Sequence, residues 1–188
     1  SVNTAGSSIS LTRFYDSRSL AYPWKNSLDV FLSKEYADGQ ESAIYWADGS
    51  GEYHKFQKSG EIYTAPSDLR ATLTPTEQGY SITLKDGTVY AFDQSGALLS
   101  ITDRLGKVTQ YIYNEAKMLT AVKNEYGCFI ALEYDDNLRL SRAMAGSDYS
   151  AFLASDSYEC YSIYEYTYDA NGMLSSILAP NAGTEIYV

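Results

Sequence analysis

A tyrosine-marked period of about 21 residues runs through the second half of the chain, and it limits the fold more than any other feature. A repeat of that length means stacked supersecondary units, none of which buries its apolar face alone. Each unit is anchored on one of the segments Tyr90-Ala91-Phe92-Asp93, Tyr111-Ile112-Tyr113-Asn114, Leu132-Glu133-Tyr134-Asp135 and Tyr166-Thr167-Tyr168-Asp169. Phe92, Tyr113 and Tyr134 lie 21 and 21 apart, and Tyr168 follows 34 later, one period plus a 13-residue insertion. The same register aligns Leu98, Leu119, Leu140 and Leu174; Ile101, Val122, Ala143 and Ile177; and the amide or acidic column Asp93, Asn114, Asp135 and Asp169.

A two-residue alternation that ends in Asp, then a short turn and an apolar return, is the pattern of a β-hairpin. Alternate strand side chains share a face, so Tyr111 and Tyr113 point the same way, while Asp and Asn bond their own backbone and open turns. Gly96 and Gly172 stand three residues after the Asp in the first and last units and supply a position of positive φ. Lys117 and Leu138 stand there in the middle units, so those turns are expected to differ. Leu98 and Ile101 are three apart, which requires either a bulge or a sheet buried on both sides. Asp86-Gly87 between alternating apolar residues predicts a two-residue type I′ turn.

The expected fold is therefore all-β: stacked antiparallel hairpins in a curved, strongly twisted sheet. A β-rich leader occupies residues 1–79 and the repeats residues 80–188, with the insertion at about 144–160. Strands are expected at Leu28 to Ser33, Ala43 to Trp46 and Tyr53 to Phe56, and a poorly anchored start or edge strand over residues 1–12. Within the insertion, Ser147 to Asp156 reads as a loop or short helix, followed by one long strand from Tyr158 to Tyr168. The last residues, Thr184 to Val188, read in register as the first strand of a further unit, so both ends look like cuts in a longer array, with an open edge that would favour self-association.

Composition narrows the function classes. Of 188 residues 45% are hydrophobic and 19 are tyrosine, which suits a sheet with one drier and one wetter face, since the ring buries while the hydroxyl needs a partner. A formal net charge of -10 excludes a nucleic-acid backbone as the natural ligand. No apolar run approaches the roughly 20 residues that span a bilayer. Cys128 and Cys160 are compatible with one disulfide or with reduced core positions.

Catalytic constellations are weak. His54 is the sole histidine, it lies in a strand pattern between Tyr53 and Lys55, and no G-x-S-x-G elbow accompanies it, so an exposed sheet histidine without a partner is expected. Cys128 lacks a neighbour that would make it a nucleophile. Asp48, Asp86, Asp93, Asp103, Asp135, Asp136 and Asp169 fall at hairpin ends, where turn chemistry is expected in place of glycoside hydrolysis or calcium binding. No catalytic residue, metal ligand or cofactor is assigned. Trp24, Trp46 and the tyrosines form the alternative, a sugar-stacking platform; the expected role of Tyr90, Tyr111, Leu132, Tyr166, Phe92, Tyr113, Tyr134 and Tyr168, with the leucine column, is glue between strands.

The run Gly106-Lys107-Val108-Thr109-Gln110-Tyr111-Ile112-Tyr113-Asn114, with Leu119-Thr120-Ala121-Val122, resembles the YD repeat of the RHS family, and Tyr166 to Leu174 resembles it most closely. Upstream, Tyr22-Pro23-Trp24-Lys25-Asn26-Ser27-Leu28-Asp29 is similar to the segment that opens the family's shell, with Pro23 where glycine is more usual. The resemblance implies a non-catalytic stretch of a hollow β shell that encloses or presents an effector domain, secreted or at the cell surface. Its partners would then be the rest of the shell and the enclosed domain. A cell-surface adhesion or carbohydrate-binding module, with a glycan or protein ligand, is the alternative.

Overall fold

The computed structural model describes residues 2–4, 7–15, 24–155, 161–180 and 184–186. In chain order the strands are β1 (Val2–Thr4), β2 (Ser7–Ile9), β3 (Arg13–Tyr15), β4 (Trp24–Asn26), β5 (Val30–Ala37), β6 (Gln40–Asp48), β7 (Tyr53–Ser59), β8 (Ile62–Thr64), β9 (Ala71–Pro75) and β10 (Gly79–Leu84). They continue with β11 (Val89–Asp93), β12 (Leu98–Thr102), β13 (Val108–Tyr113), β14 (Leu119–Asn124), β15 (Phe129–Tyr134) and β16 (Leu140–Gly146). The helix α1 (Tyr149–Leu153) then precedes β17 (Ser162–Tyr168), β18 (Leu174–Leu178) and β19 (Thr184–Ile186). The expected all-β, antiparallel hairpin architecture is borne out. Cys160, Tyr22, Pro23, Val188 and the first residues of the long strand expected from Tyr158 lie outside the described residues.

The chain forms two compact units. One runs from Ser10 to Gln110 and holds the β3–β4 pair, the meander β5-β6-β7-β8, and the meander β9 to β12 with the start of β13. The other comprises residues 1–9 and 111–188, with the β1–β2 pair and the hairpins that follow from the end of β13 to β19. Strands adjacent in sequence pair in space within each meander, so every hairpin hands its free edge to the next. In the second unit the insertion has a structural task. Asp148 caps α1 by accepting the Ala151 N–H at 3.0 Å. The helix lays Tyr149 and Phe152 on buried Phe129, with ring centroids 5.3 and 4.7 Å away, and Met144 and Ala131 complete this cluster.

The recurring turn is the element most altered from expectation. At Asp93, Asp103, Asn114, Asn124, Asp135 and Asp169 the backbone N–H donates to the carbonyl four residues on, at 2.8 to 3.0 Å. In each case the N–H three residues on donates back to the first carbonyl. The side-chain Oδ1 of each accepts the N–H of the fourth following residue, at 2.8 to 3.0 Å. This is a type I turn closed by a left-handed residue, the usual three-residue hairpin loop. Lys117 and Leu138 were expected to change it. They do not: both adopt positive φ, 63° and 61°, and keep the same hydrogen bonds as the glycine-bearing turns. The side-chain cap and the flanking ladders outweigh the roughly 1–2 kcal/mol that a Cβ costs in that conformation.

The same loop also replaces the predicted type I′ turn at Asp86-Gly87. There only Gly87 has positive φ, and Leu84 N–H donates to the Thr88 carbonyl, enclosing three residues. A turn with both central residues at positive φ occurs instead at Asp38-Gly39, 52° and 77°, closed by the Ala37–Gln40 pair.

Candidate functional site

The aligned columns become cross-strand pairs. Tyr90 lies opposite Ile101 and Phe92 opposite Leu98; Leu132 lies opposite Ala143 and Tyr134 opposite Leu140; Tyr166 lies opposite Ile177 and Tyr168 opposite Leu174. Two residues separate the partners on the first strand and three on the second, so the second strand carries an extra residue: Leu99, Ser141 and Ser175. The bulge, not two-sided burial, therefore accounts for the three-residue spacing. Phe92, Leu98, Leu132, Leu140, Leu174, Tyr111 and Tyr166 are buried. Tyr90, Tyr113, Tyr134, Tyr168 and Leu119 are half-buried.

The half-buried tyrosines have a polar task that the sequence alone did not disclose. Tyr134 Oη donates to the Leu119 carbonyl at 2.9 Å, and Tyr168 Oη to the Leu140 carbonyl at 2.7 Å. Their sequence separations are 15 and 28, which differ by the 13-residue insertion, so the contact is one and the same in the repeat register. The β16–β17 ladder is registered from Arg142 to Ala145, so at Leu140 the Tyr168 hydroxyl takes a carbonyl beyond the end of that ladder. Each hydroxyl thus fastens a hairpin to the one before it. Tyr168→Phe should lower stability by about 1–3 kcal/mol, since a carbonyl in this setting loses its donor. Tyr164→Phe, whose hydroxyl takes no bond among the described residues, should stay within about 0.5 kcal/mol. Comparable denaturant midpoints for the two variants would contradict the fastening role.

Charge reinforces the same seams. Arg142 stands directly across from Glu133 on one side and Glu165 on the other, and its guanidinium reaches them at 3.0 and 2.9 Å. Arg139 pairs with Asp135 at 2.7 Å and lies over the Tyr168 ring, 4.4 Å from its centroid. Burial pushes the Asp135 carboxyl up, but Arg139 and the turn N–H groups outweigh it and hold the group below its usual range.

A second cluster sits at the end of the β6–β7 hairpin. His54 was expected to be an exposed histidine without a partner; its side chain is instead 17% exposed and Nε2 lies 3.0 Å from Asp48 Oδ2. Its ring packs on Trp46, centroids 5.3 Å apart, and Trp46 packs in turn on Tyr90 at 5.2 Å. The cause is register: Trp46 and His54 are cross-strand partners, and Asp48 is two residues beyond Trp46 on the same face. Burial raises Asp48, yet the Ser50 hydroxyl, His54 and the Ser50 N–H together hold it below the usual carboxylate range. Ser50 Oγ donates to Asp48 Oδ1 at 2.6 Å, so serine and histidine bind the two oxygens of one carboxylate and form no serine–histidine relay. Trp46 is 3% exposed and offers no face for a sugar ring. Cys128 is buried, and its N–H donates to Asn124 Oδ1 at 3.0 Å.

Sequence reasoning missed two things here. The turns at Asp103 and Asn124 belong to the same series as the aligned column, and Asp103 to Gly106 and Asn124 to Gly127 repeat the signal of an Asp or Asn with a glycine three residues on. The meeting of Asp48 with His54 had no signal without a strand register.

Consecutive antiparallel hairpins with one recurring turn, one recurring bulge and a tyrosine fastening define a β-repeat protein. Residues 92–127 match the family model described as RHS Repeat, so this stretch is an RHS repeat and the YD resemblance of Gly106 to Val122 is borne out. RHS repeats are structural repeats, and that is the role of this stretch. No curated protein matches the chain. Among the described residues no helix is long and apolar enough to cross a membrane.

Proposed function

We propose that the chain is a non-catalytic segment of an RHS/YD β shell, near its start, that encloses or presents an effector domain outside the cell or at its surface. The observation that carries this reading is the repeated hydroxyl-to-carbonyl bond from Tyr134 and Tyr168 to the preceding hairpin. A repeat unit that fastens its neighbour and engages its turn carboxylates with backbone N–H groups suits a wall. The carboxylates Asp93, Asp103, Asp135 and Asp169 are spent on turn N–H groups, which supports the absence of acid–base chemistry in the repeats. Burial of Trp46 weighs against the sugar-binding alternative.

The test uses the full polypeptide that carries this chain. A domain that follows the repeats should resist protease while the wall is intact, and it should become cleavable when a wall turn is broken by Gly96→Ala. A following domain that is cut equally fast in both proteins, or a polypeptide with no domain beyond the repeats, would overturn the enclosure reading.

A further inference from the structure

We propose that Asp48, Glu52 and His54 form a binding site for a divalent transition metal of the zinc class, which ties the end of the β6–β7 hairpin. The donor atoms of these residues all lie within 4.8 Å of one another. His54 Nε2 and Asp48 Oδ2 are 3.0 Å apart, hydrogen-bonded to each other; donors around a tetrahedral ion with bonds of about 2.1 Å stand about 3.4 Å apart, so the pair has to open by only a few tenths of an ångström to take one up. The arrangement follows from the ladder. Trp46 faces His54 and Ala47 faces Tyr53, so Asp48 and Glu52 stand opposite each other one step further on, on the face that already holds His54. Asp48 divides its labour: Oδ1 caps the turn by accepting the Ser50 N–H at 2.8 Å, and Oδ2 turns to the histidine.

Two further observations separate this cluster from ordinary turn acids. The imidazole is held in place by Trp46, so it approaches an ion without first losing rotamer freedom. That same Trp46, buried beneath the histidine, carries an indole N–H without an acceptor among the described residues. The donor set decides the metal. One imidazole nitrogen with two carboxylates suits zinc and its neighbours, whereas magnesium and calcium prefer oxygen alone. The site is independent of the shell reading: its failure would leave the repeats unaffected, and a failed shell would leave the site intact.

The test is favoured by the composition, because His54 is the only histidine and its ring nitrogens report the site without overlap. Chelator-treated protein is titrated with zinc chloride, followed by calorimetry and by proton–nitrogen correlation of the imidazole. Saturable binding of one ion per chain, with the Nε2 resonance displaced by zinc and unmoved by millimolar magnesium or calcium, is the expected result. The melting midpoint should rise with zinc, because the ion binds the folded state alone. Glu52→Gln, at an exposed position, should keep its metal-free melting midpoint and lose about tenfold or more in zinc affinity. His54→Gln should abolish the high-affinity phase. Ring resonances that ignore zinc, or zinc affinity unchanged in Glu52→Gln, would overturn the site.

Discussion

Gly96→Ala should cost about 3 kcal/mol or more, a loss large enough to threaten a domain of ordinary stability. Gly96 has φ of +92°, and a methyl group built on it would overlap the carbonyl oxygen of Leu32. That overlap has no soft exit, because the Gly96 carbonyl also accepts the Leu32 N–H at 2.8 Å, so the two backbones are clamped face to face. The left-handed conformation contributes about 1–2 kcal/mol of the loss, and a broken or stretched backbone hydrogen bond about 1 kcal/mol more. Gly106→Ala is the matched control. Its φ is +81°, in the same kind of turn, but nothing lies within 4 Å of the added methyl, so only the conformational part of the loss applies. The reverse changes, Lys117→Gly and Leu138→Gly, should stabilise by about 0.5–1 kcal/mol, since relief of the left-handed strain exceeds the entropy that glycine adds to the unfolded chain. Denaturant melts of the four variants give the order directly. Equal losses at Gly96 and Gly106 would mean that the approach to Leu32 has no energetic weight.

The repeat was legible because its physics is local. A tyrosine two residues before another, an Asp at the strand end and an apolar return are all contained within one hairpin, and the 21-residue spacing then multiplies the signal. Turn geometry was legible only in part. Glycine marks a positive φ when it is present, but its absence at Lys117 and Leu138 carried no information, because the Asp or Asn cap and two flanking strands impose the conformation on whatever residue stands there. The Asp-Gly signal was ambiguous for a similar reason. Asp86-Gly87 and Asp38-Gly39 share the dipeptide, and the difference between three enclosed residues and two is set by where the strands pair, which no dipeptide encodes.

Long-range pairings were out of reach. That Tyr168 bonds the Leu140 carbonyl, or that Asp48 and Glu52 converge on His54, depends on which strand lies beside which and in what register. The single histidine has Tyr53 and Lys55 as its neighbours in sequence, whereas its neighbours in space are Trp46 and Asp48. A residue on a strand touches its cross-strand partner and the residues two away, so sequence adjacency is the wrong measure for it.

The leucine column gives the second large effect, and it is not uniform. Leu98 is fully buried and lies directly across from Phe92, itself 1% exposed, so Leu98→Ala should cost about 2–5 kcal/mol through lost transfer energy and the cavity left behind. Phe92→Ala should cost about 3–5 kcal/mol for the same reason. The two side chains are direct partners, so the double variant should lose less or more than the sum by about 0.5–3 kcal/mol. Leu119, in the same column but half-buried, has part of its surface in water already and should lose only about 1–2 kcal/mol on truncation. Leu105, 72% exposed in a neighbouring turn, should tolerate alanine within about 0.5 kcal/mol. The graded series separates burial from mere repetition: if column membership alone set the energy, Leu98 and Leu119 would respond alike. Chemical melts in which Leu98→Ala is as mild as Leu105→Ala would remove the Phe92–Leu98 pair from the core, and with it the claim that each repeat is held by the cross-strand pair at its bulge.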